Sequence, residues 1–241
     1  MIPTASGRFS REFLTTCWSI VINGDPTQDA GAAALGELCR RYWYPAYAYL
    51  RQIGHPPAEA QDIARAFFGS LMHIRAAEMP PERPRRFRDF LLDRLRAFLA
   101  GERPLPQAVP PLTEPDFVGL EERYRGDAVV GLTAEMVYQH GFASEVMARA
   151  LAQLHAEARE AGHLGMYQAL FPYLTTEPAE EDYRTISEQL GHRPLALIVA
   201  LKRLRQRFRD LVGRELSDTV DSAGGLAEEQ RTLHGILSTR L

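Results

Sequence analysis

The stretch YRTISEQLGHRPLALIVALKRLRQRFRDLVGRE, residues 183–215, decides the architecture of this chain. Residues 183–191 predict a short helix that ends at Gly191, because glycine readily adopts the left-handed conformation that closes helices. Pro194 suits a first helical position, so a second helix is predicted from there to about Glu215. A helix, a tight glycine turn and a second helix form the helix-turn-helix pattern.

The second predicted helix is basic in a chain that is otherwise slightly acidic. The 241 residues contain 28 Lys and Arg against 31 Asp and Glu, which gives a formal net charge of −3. A basic stripe on the second helix is typical of a DNA-reading element, although a solvated charged surface gives the same pattern. The cations are Lys202, Arg203, Arg205, Arg207, Arg209 and Arg214, against Asp210 and Glu215. The buried stripe is predicted to be Leu197, Ala200, Leu201, Leu204 and Phe208.

Outside this segment, the spacing of apolar residues predicts helices throughout and no pair of strands. The predicted fold class is therefore all-α. Pro45 is expected to bend or split the first helix, because proline cannot donate a helical hydrogen bond. The predicted helices cover residues 29–53, 58–75, 85–100, 133–161 and 166–174.

A Pro-rich segment at 103–131 gives the strongest signal for a domain boundary. It contains Pro104, Pro106, Pro110, Pro111 and Pro115 and has little apolar periodicity, as expected of a linker. We therefore predict two helical domains at 1–102 and 132–220, joined by a linker at 103–131. A tail at 221–241 is predicted to contain a helical stretch that ends near residues 236–237.

Motifs that carry chemistry are missing from the sequence. It contains no phosphate-binding glycine loop, no nucleophile elbow and no zinc-peptidase motif, and its seven histidines lack metal-ligand spacing. Cys17 and Cys39 are interpreted as buried structural thiols. We therefore expect no enzyme, no metal and no cofactor. The absence of a long apolar run and of a secretory signal predicts no membrane insertion and a cytoplasmic location.

Five blocks, taken together, resemble the extracytoplasmic-function (ECF) RNA polymerase sigma factors, in a sigma-factor-like branch common in planctomycetes and related bacteria. The similarity runs from Phe13 to about Val220, with gaps in the linker. The blocks occur in the same order as in the family. They are FLTTCWSIV (13–21), LCRRYWYPAYAYLR (38–51), EAQDI with FF (59–63, 67–68), RFRDFLL (86–92) and residues 183–212.

The resemblance implies a protein that binds core RNA polymerase and directs transcription from specific promoters. The amino-terminal domain would dock on the polymerase and melt the −10 element, and the carboxy-terminal domain would read the −35 element. Polymerase docking would involve Glu59, Asp62, Phe67 and Phe68. Implied partners are core polymerase, promoter DNA and an anti-sigma or other regulatory protein. The implied DNA-binding residues are Arg88, Arg96, Arg103, Arg193, Lys202, Arg203, Arg205 and Arg209.

Three departures from the family pattern keep an alternative open. Arg65 and Ala66 occupy places that usually carry a Gln-Glu step, and the linker is acidic where relatives are basic. Leu195, Ile198 and Val199 form an apolar start to the recognition helix where relatives carry polar residues. The alternative is a degenerate sigma-like protein that acts as an interaction or regulatory module without promoter recognition, with these three apolar residues as its protein interface.

Overall fold

The computed structural model describes residues 29–71, 86–101, 117–127, 131–217, 219 and 223–238. These residues form helices joined by turns and contain no β-strand, so the all-α prediction is confirmed. The α-helices are α1 (Asp29–Gln52), α2 (Pro57–Leu71), α3 (Phe87–Leu99), α4 (Phe117–Gly126), α5 (Ala134–Glu160), α6 (Leu164–Leu170), α7 (Glu180–Leu190), α8 (Pro194–Ser217) and α9 (Ala223–Ser238). A 3₁₀ turn at Phe171–Tyr173 follows α6.

The chain divides into two compact units whose limits differ from the predicted domains. Unit 1 contains residues 1–145 and 216–241, and unit 2 contains residues 146–215. The limits fall inside α5 and near the end of α8, so these two helices each contribute to both units. The unit boundaries do not coincide with the predicted linker at 103–131, because α4, which lies at 117–126, packs within unit 1.

Aromatic side chains from four helices form the core of unit 1. Trp43 of α1 stacks on Phe68 of α2 with ring centroids 5.2 Å apart. Tyr42 stacks on Phe142 of α5 at 5.4 Å and tilts against Phe87 of α3 at 5.5 Å. All five rings are buried, and aromatic pairs stabilise a fold by more than the burial of their surface area alone. Packing of these rings therefore holds α1, α2, α3 and α5 together.

Pro45 lies inside α1, which is one helix over its whole length, so the expected split is wrong. The neighbouring α5 passes close to it at Gly141, where an added Cβ would lie 3.2 Å from the Pro45 Cα. Glycine at this position therefore lets the two helix backbones approach closely.

The helix α4 occupies part of the segment that the sequence predicts to be a linker. Its Glu121 carboxylate accepts hydrogen bonds from the Tyr47 hydroxyl at 2.7 Å and from Arg51 Nε at 3.0 Å. Tyr124 of α4 donates its hydroxyl proton to the Gln52 side chain at 3.0 Å. These contacts fix α4 on the carboxyl end of α1, so residues 117–126 are structured and do not form a flexible linker.

In unit 2, α7 and α8 pack against α6 and the later part of α5. One apolar cluster joins Ala150 and Leu154 of α5, Tyr167 of α6, and Phe208 and Leu211 of α8. A second joins Leu170, Ile186 of α7, Leu197 and Leu201. The predicted buried stripe is thus confirmed, because Leu197, Leu201 and Phe208 are buried and Ala200 and Leu204 pack against them.

Candidate functional site

The turn between α7 and α8 has the conformation that the sequence predicts. Gly191 has φ +68°, in the left-handed region, and its N–H donates to the Ser187 carbonyl at 2.9 Å. The Ser187 hydroxyl donates to the His192 carbonyl at 2.5 Å, which closes the turn. The next helix begins at Pro194. Three residues, 191–193, therefore join the two helices.

The first two turns of α8 expose apolar side chains. Leu195 is 72% exposed, Ile198 46% and Val199 42%. Their spacing of three and four residues places them on one face of the helix. No described part of the chain covers this face, so its apolar atoms are available to a ligand.

Cations adjoin this apolar face. Arg193 precedes the helix, while Lys202 and Arg203 lie one turn beyond Ile198 and Val199, and all three are exposed. Arg209 is also exposed and donates to the Gln206 side chain at 2.7 Å. Four of the predicted DNA-binding residues thus lie at the surface of unit 2.

Arg205 differs from its neighbours because contacts within unit 2 occupy its guanidinium. Nη2 donates to the carbonyl oxygens of Tyr173 at 2.9 Å and Thr176 at 2.5 Å, and Nη1 pairs with Glu177 at 2.5 Å. These acceptors follow the 3₁₀ turn, so Arg205 stabilises the chain after α6. Arg205 as a DNA contact stays a prediction, and four hydrogen bonds within unit 2 already engage its guanidinium.

A hollow of about 280 Å³ lies beside this face. Tyr183 and Ile198 supply apolar lining, and Lys202 and Arg209 supply positive charge. Glu177, which pairs with Arg205, also lines it. The hollow thus continues the mixed apolar and cationic character of the helix face.

Arg207, on another side of α8, pairs with Glu157 of α5. Its Nε and Nη2 donate to the two carboxylate oxygens at 2.7 and 2.5 Å. This bidentate contact lowers the pKa of Glu157 and raises that of Arg207. Arg207 therefore joins two helices of unit 2 and does not belong to the exposed cation group.

The carboxy-terminal helix α9 forms ion pairs with arginines at the predicted DNA-binding surface of α3. Arg88 is 1% exposed and forms an ion pair with Glu229 of α9, which is also 1% exposed. Arg86 Nε lies 3.0 Å from the second Glu229 oxygen, and Arg86 Nη2 lies 3.0 Å from Glu228. Burial raises the pKa of Glu229, and the two arginines oppose that shift. Phosphate contact by Arg88 stays a prediction, and in this structure the Arg88 charge is buried and paired.

Of the other two candidates near α3, one is exposed and one is not described. Arg96 pairs with Asp93 at 3.4 Å and with Glu135 of α5 at 2.5 Å, and its side chain remains 42% exposed. Arg103 lies outside the described residues. Arg96 thus reaches solvent with part of its charge already neutralised.

The predicted polymerase-docking residues of α2 divide into two pairs. Glu59 and Asp62 are exposed, with side chains 54% and 70% accessible. Phe67 and Phe68 are 1% and 0% exposed and belong to the aromatic core. Polymerase contact by Phe67 and Phe68 stays a prediction, and in this structure neither ring reaches the surface. Arg65, one of the departures from the family, lies 3.2 Å from Asp62 and neutralises part of its charge.

Two buried carboxylates, Glu121 and Glu229, were not anticipated from the sequence. Glu121 pairs with Arg51, 70 residues away, as well as with Arg125 four residues on, and Glu229 pairs with Arg86 and Arg88 from a distant part of the chain. Because the distant partners bury these carboxylates, local spacing does not predict them. The only local signal is an acidic residue among apolar helical neighbours, such as Leu226 and Leu233 around Glu229.

The described parts of the chain contain neither a cluster of metal ligands nor a membrane-spanning helix. No group of three His, Cys, Asp or Glu side chains converges there. None of the described helices has both the length and the apolar content needed to cross a membrane. Cys39 is buried, as predicted, and Cys17 lies outside the described residues.

No protein-family model, no curated protein and no solved structure matches this chain.

Proposed function

We propose that this protein is a sigma factor of the extracytoplasmic-function type, which binds core RNA polymerase and directs promoter-specific transcription initiation. The observation that carries the proposal is the pair α7 and α8. A left-handed glycine joins them, the exposed Arg193 precedes the second helix, and the exposed Lys202, Arg203 and Arg209 follow along it. Helices arranged in this way can enter the major groove while flanking cations hold phosphates.

A second support comes from the surface of α2. Glu59 and Asp62 are exposed on a helix whose sequence resembles the polymerase-docking helix of the family. The polymerase surface on which this helix docks is basic in that family, so exposed carboxylates on α2 favour association through complementary charge. In this proposal α2 recruits the protein to polymerase, and α8 selects the promoter.

The test is co-elution of the full chain with core RNA polymerase on size exclusion at moderate salt. We expect a stable complex for the wild type and at least a tenfold weaker one for Glu59→Lys/Asp62→Lys, because each lost charge contact costs about 1–2 kcal/mol. Glu122→Lys, an exposed charge reversal on α4, is the matched control and should bind normally. Arg65→Gln should strengthen binding, since it frees Asp62 from its neighbouring cation.

The degenerate sigma-like alternative is favoured by one observation, the apolar start of α8. Leu195 at 72% exposure offers no hydrogen bond to a base edge, and such a surface also suits a protein partner. If the well-folded chain bound neither polymerase nor duplex DNA, the sigma-factor proposal would be overturned and this alternative favoured.

A further inference from the structure

The first two turns of α8 lack any side chain able to form a hydrogen bond. Residues 194–201 read PLALIVAL, and the first polar side chain after Arg193 is Lys202. Leu197 and Leu201 of this run are buried in unit 2, while Leu195, Ile198 and Val199 face solvent. Any ligand in contact with this part of the helix therefore meets aliphatic carbon.

The charge of the surrounding segment favours a nucleic acid as that ligand. No acidic residue occurs between Glu188 and Asp210, an interval that contains six Arg or Lys. Among the described residues, Lys202 and Arg203 have no hydrogen-bond or ion-pair partner, so their charge is available to phosphates. An aliphatic patch with cations at both ends matches a major groove bordered by two phosphate backbones.

Base chemistry then restricts what the aliphatic patch can distinguish. In the major groove only thymine presents a methyl group, at C5, beside the hydrogen-bond donors and acceptors of the base edges. Burying one methyl group against carbon contributes about 0.8 kcal/mol, which is about a fourfold change in affinity. A guanine or cytosine edge against the same patch would lose its hydrogen bonds to water without replacement.

From these observations we infer that Leu195, Ile198 and Val199 are specificity residues that read thymine methyl groups, with Arg193, Lys202 and Arg203 holding the flanking phosphates. The inference rests on the proposed function and specifies which bases α8 recognises. The element selected by α8 contains thymines at the positions that face these three side chains, and hydrogen bonds to base edges contribute little to the selection.

The test removes the methyl group and nothing else. Duplexes are first selected from a random library by binding to the full chain in complex with core polymerase. The enriched duplex is then remade with deoxyuridine in place of thymine, one position at a time, which keeps every hydrogen-bonding group. We expect affinity to fall about fourfold at each of one to three thymines, and not at the others.

Matched variants separate base reading from phosphate contact. Leu195→Ala/Ile198→Ala should abolish the difference between thymine and uracil and leave the slope of log affinity against log salt unchanged. Lys202→Ala should reduce that slope by about one and leave the thymine preference intact. All three side chains are exposed, so thermal melts of the variants should match the wild type.

The outcomes distinguish this inference from the proposal that it rests on. Selective binding with equal affinity for thymine and uracil duplexes would overturn the inference and leave the sigma-factor proposal intact. A library with no enriched sequence would overturn both. If Leu195→Ala/Ile198→Ala impaired binding of polymerase and not of DNA, the patch would be a protein interface and the inference would be wrong.

Discussion

Glu121 shows how one carboxylate is held by donors from two helices. Tyr47 and Arg51 of α1 and Arg125 of α4 all donate to it at 2.7–3.1 Å. The Arg51 hydrogen bonds lower the pKa of Glu121 to about 2 against the opposing effect of burial. Burial and the neighbouring carboxylate raise the pKa of Tyr47, so the tyrosine remains a donor throughout the physiological range.

The lowered pKa of Glu121 makes its contribution to stability depend on pH. Because its pKa in the folded state lies below the ordinary value of 4.5, the ionised carboxylate stabilises the fold above about pH 4.5. That contribution is lost as the pH falls towards 2. Glu121→Gln should reduce the free energy of unfolding by about 3 kcal/mol at pH 7 and by much less near pH 3.

Urea unfolding followed by circular dichroism at the two pH values measures this difference. Glu122→Gln, one residue away and exposed, should change stability by less than about 0.5 kcal/mol. A cost for Glu121→Gln that stayed the same at pH 3 would show that the charge of Glu121 does not stabilise the fold.

The buried pair of Arg88 and Glu229 gives a second prediction at this scale. Arg88→Met would leave the Glu229 carboxylate buried with only Arg86 beside it, and breaking such a pair costs about 3–5 kcal/mol. Arg88→Met/Glu229→Leu should recover most of that loss, because both charges are then replaced by apolar side chains. The free energies of unfolding of the two variants test this, and a double variant no more stable than Arg88→Met would contradict it.

Among the elements, α8 was the most predictable and α4 the least. Gly191 and Pro194 mark the two helix ends locally, and the apolar stripe of α8 follows a helical period, so the sequence alone predicts their positions. The helix α4 follows a run of prolines and is held to α1 by Glu121, whose partners in α1 lie 70 and 74 residues away. The burial of Arg88 was not predictable for the same reason, since Glu229, which pairs with it, lies in α9.

The turn between α7 and α8 should be sensitive to any residue with a Cβ atom. Gly191→Ala should destabilise unit 2 by about 1–2 kcal/mol, because φ +68° is unfavourable for an L-residue. Gly191→Asn should cost less, since asparagine tolerates this conformation. Hydrogen exchange of the α7 and α8 amides measures both variants, and equal protection in Gly191→Ala and wild type would contradict the expectation.

At the scale of the whole molecule, the two compact units predict local unfolding. Leu197 is fully buried in unit 2, and Leu197→Ala should cost about 2–5 kcal/mol. We expect hydrogen exchange to accelerate over 164–211 while the amides of α1 and α2 keep their protection. Leu195→Ala removes the same atoms from an exposed site two residues away and is the matched control. Equal acceleration throughout both units would show that the chain unfolds as one cooperative body.

Fold class followed from the sequence because helical periodicity is a local property. The site was only partly predictable, since it depends on which cations remain without partners after folding. Lys202 and Arg203 stay exposed, whereas Arg205 is used by the chain after α6 and Arg88 by α9. No spacing of arginines within one helix distinguishes these cases.

The stacking of Trp43 on Phe68 has an optical consequence. Trp43 is the tryptophan of this core, Trp18 lies outside the described residues, and residues 146–215, which form unit 2, contain no tryptophan. The emission of Trp43 therefore reports on the aromatic core of unit 1, and α8 contains no indole of its own. A single indole introduced as Val199→Trp would give the helix face its own fluorophore, whose quenching would follow ligand binding there.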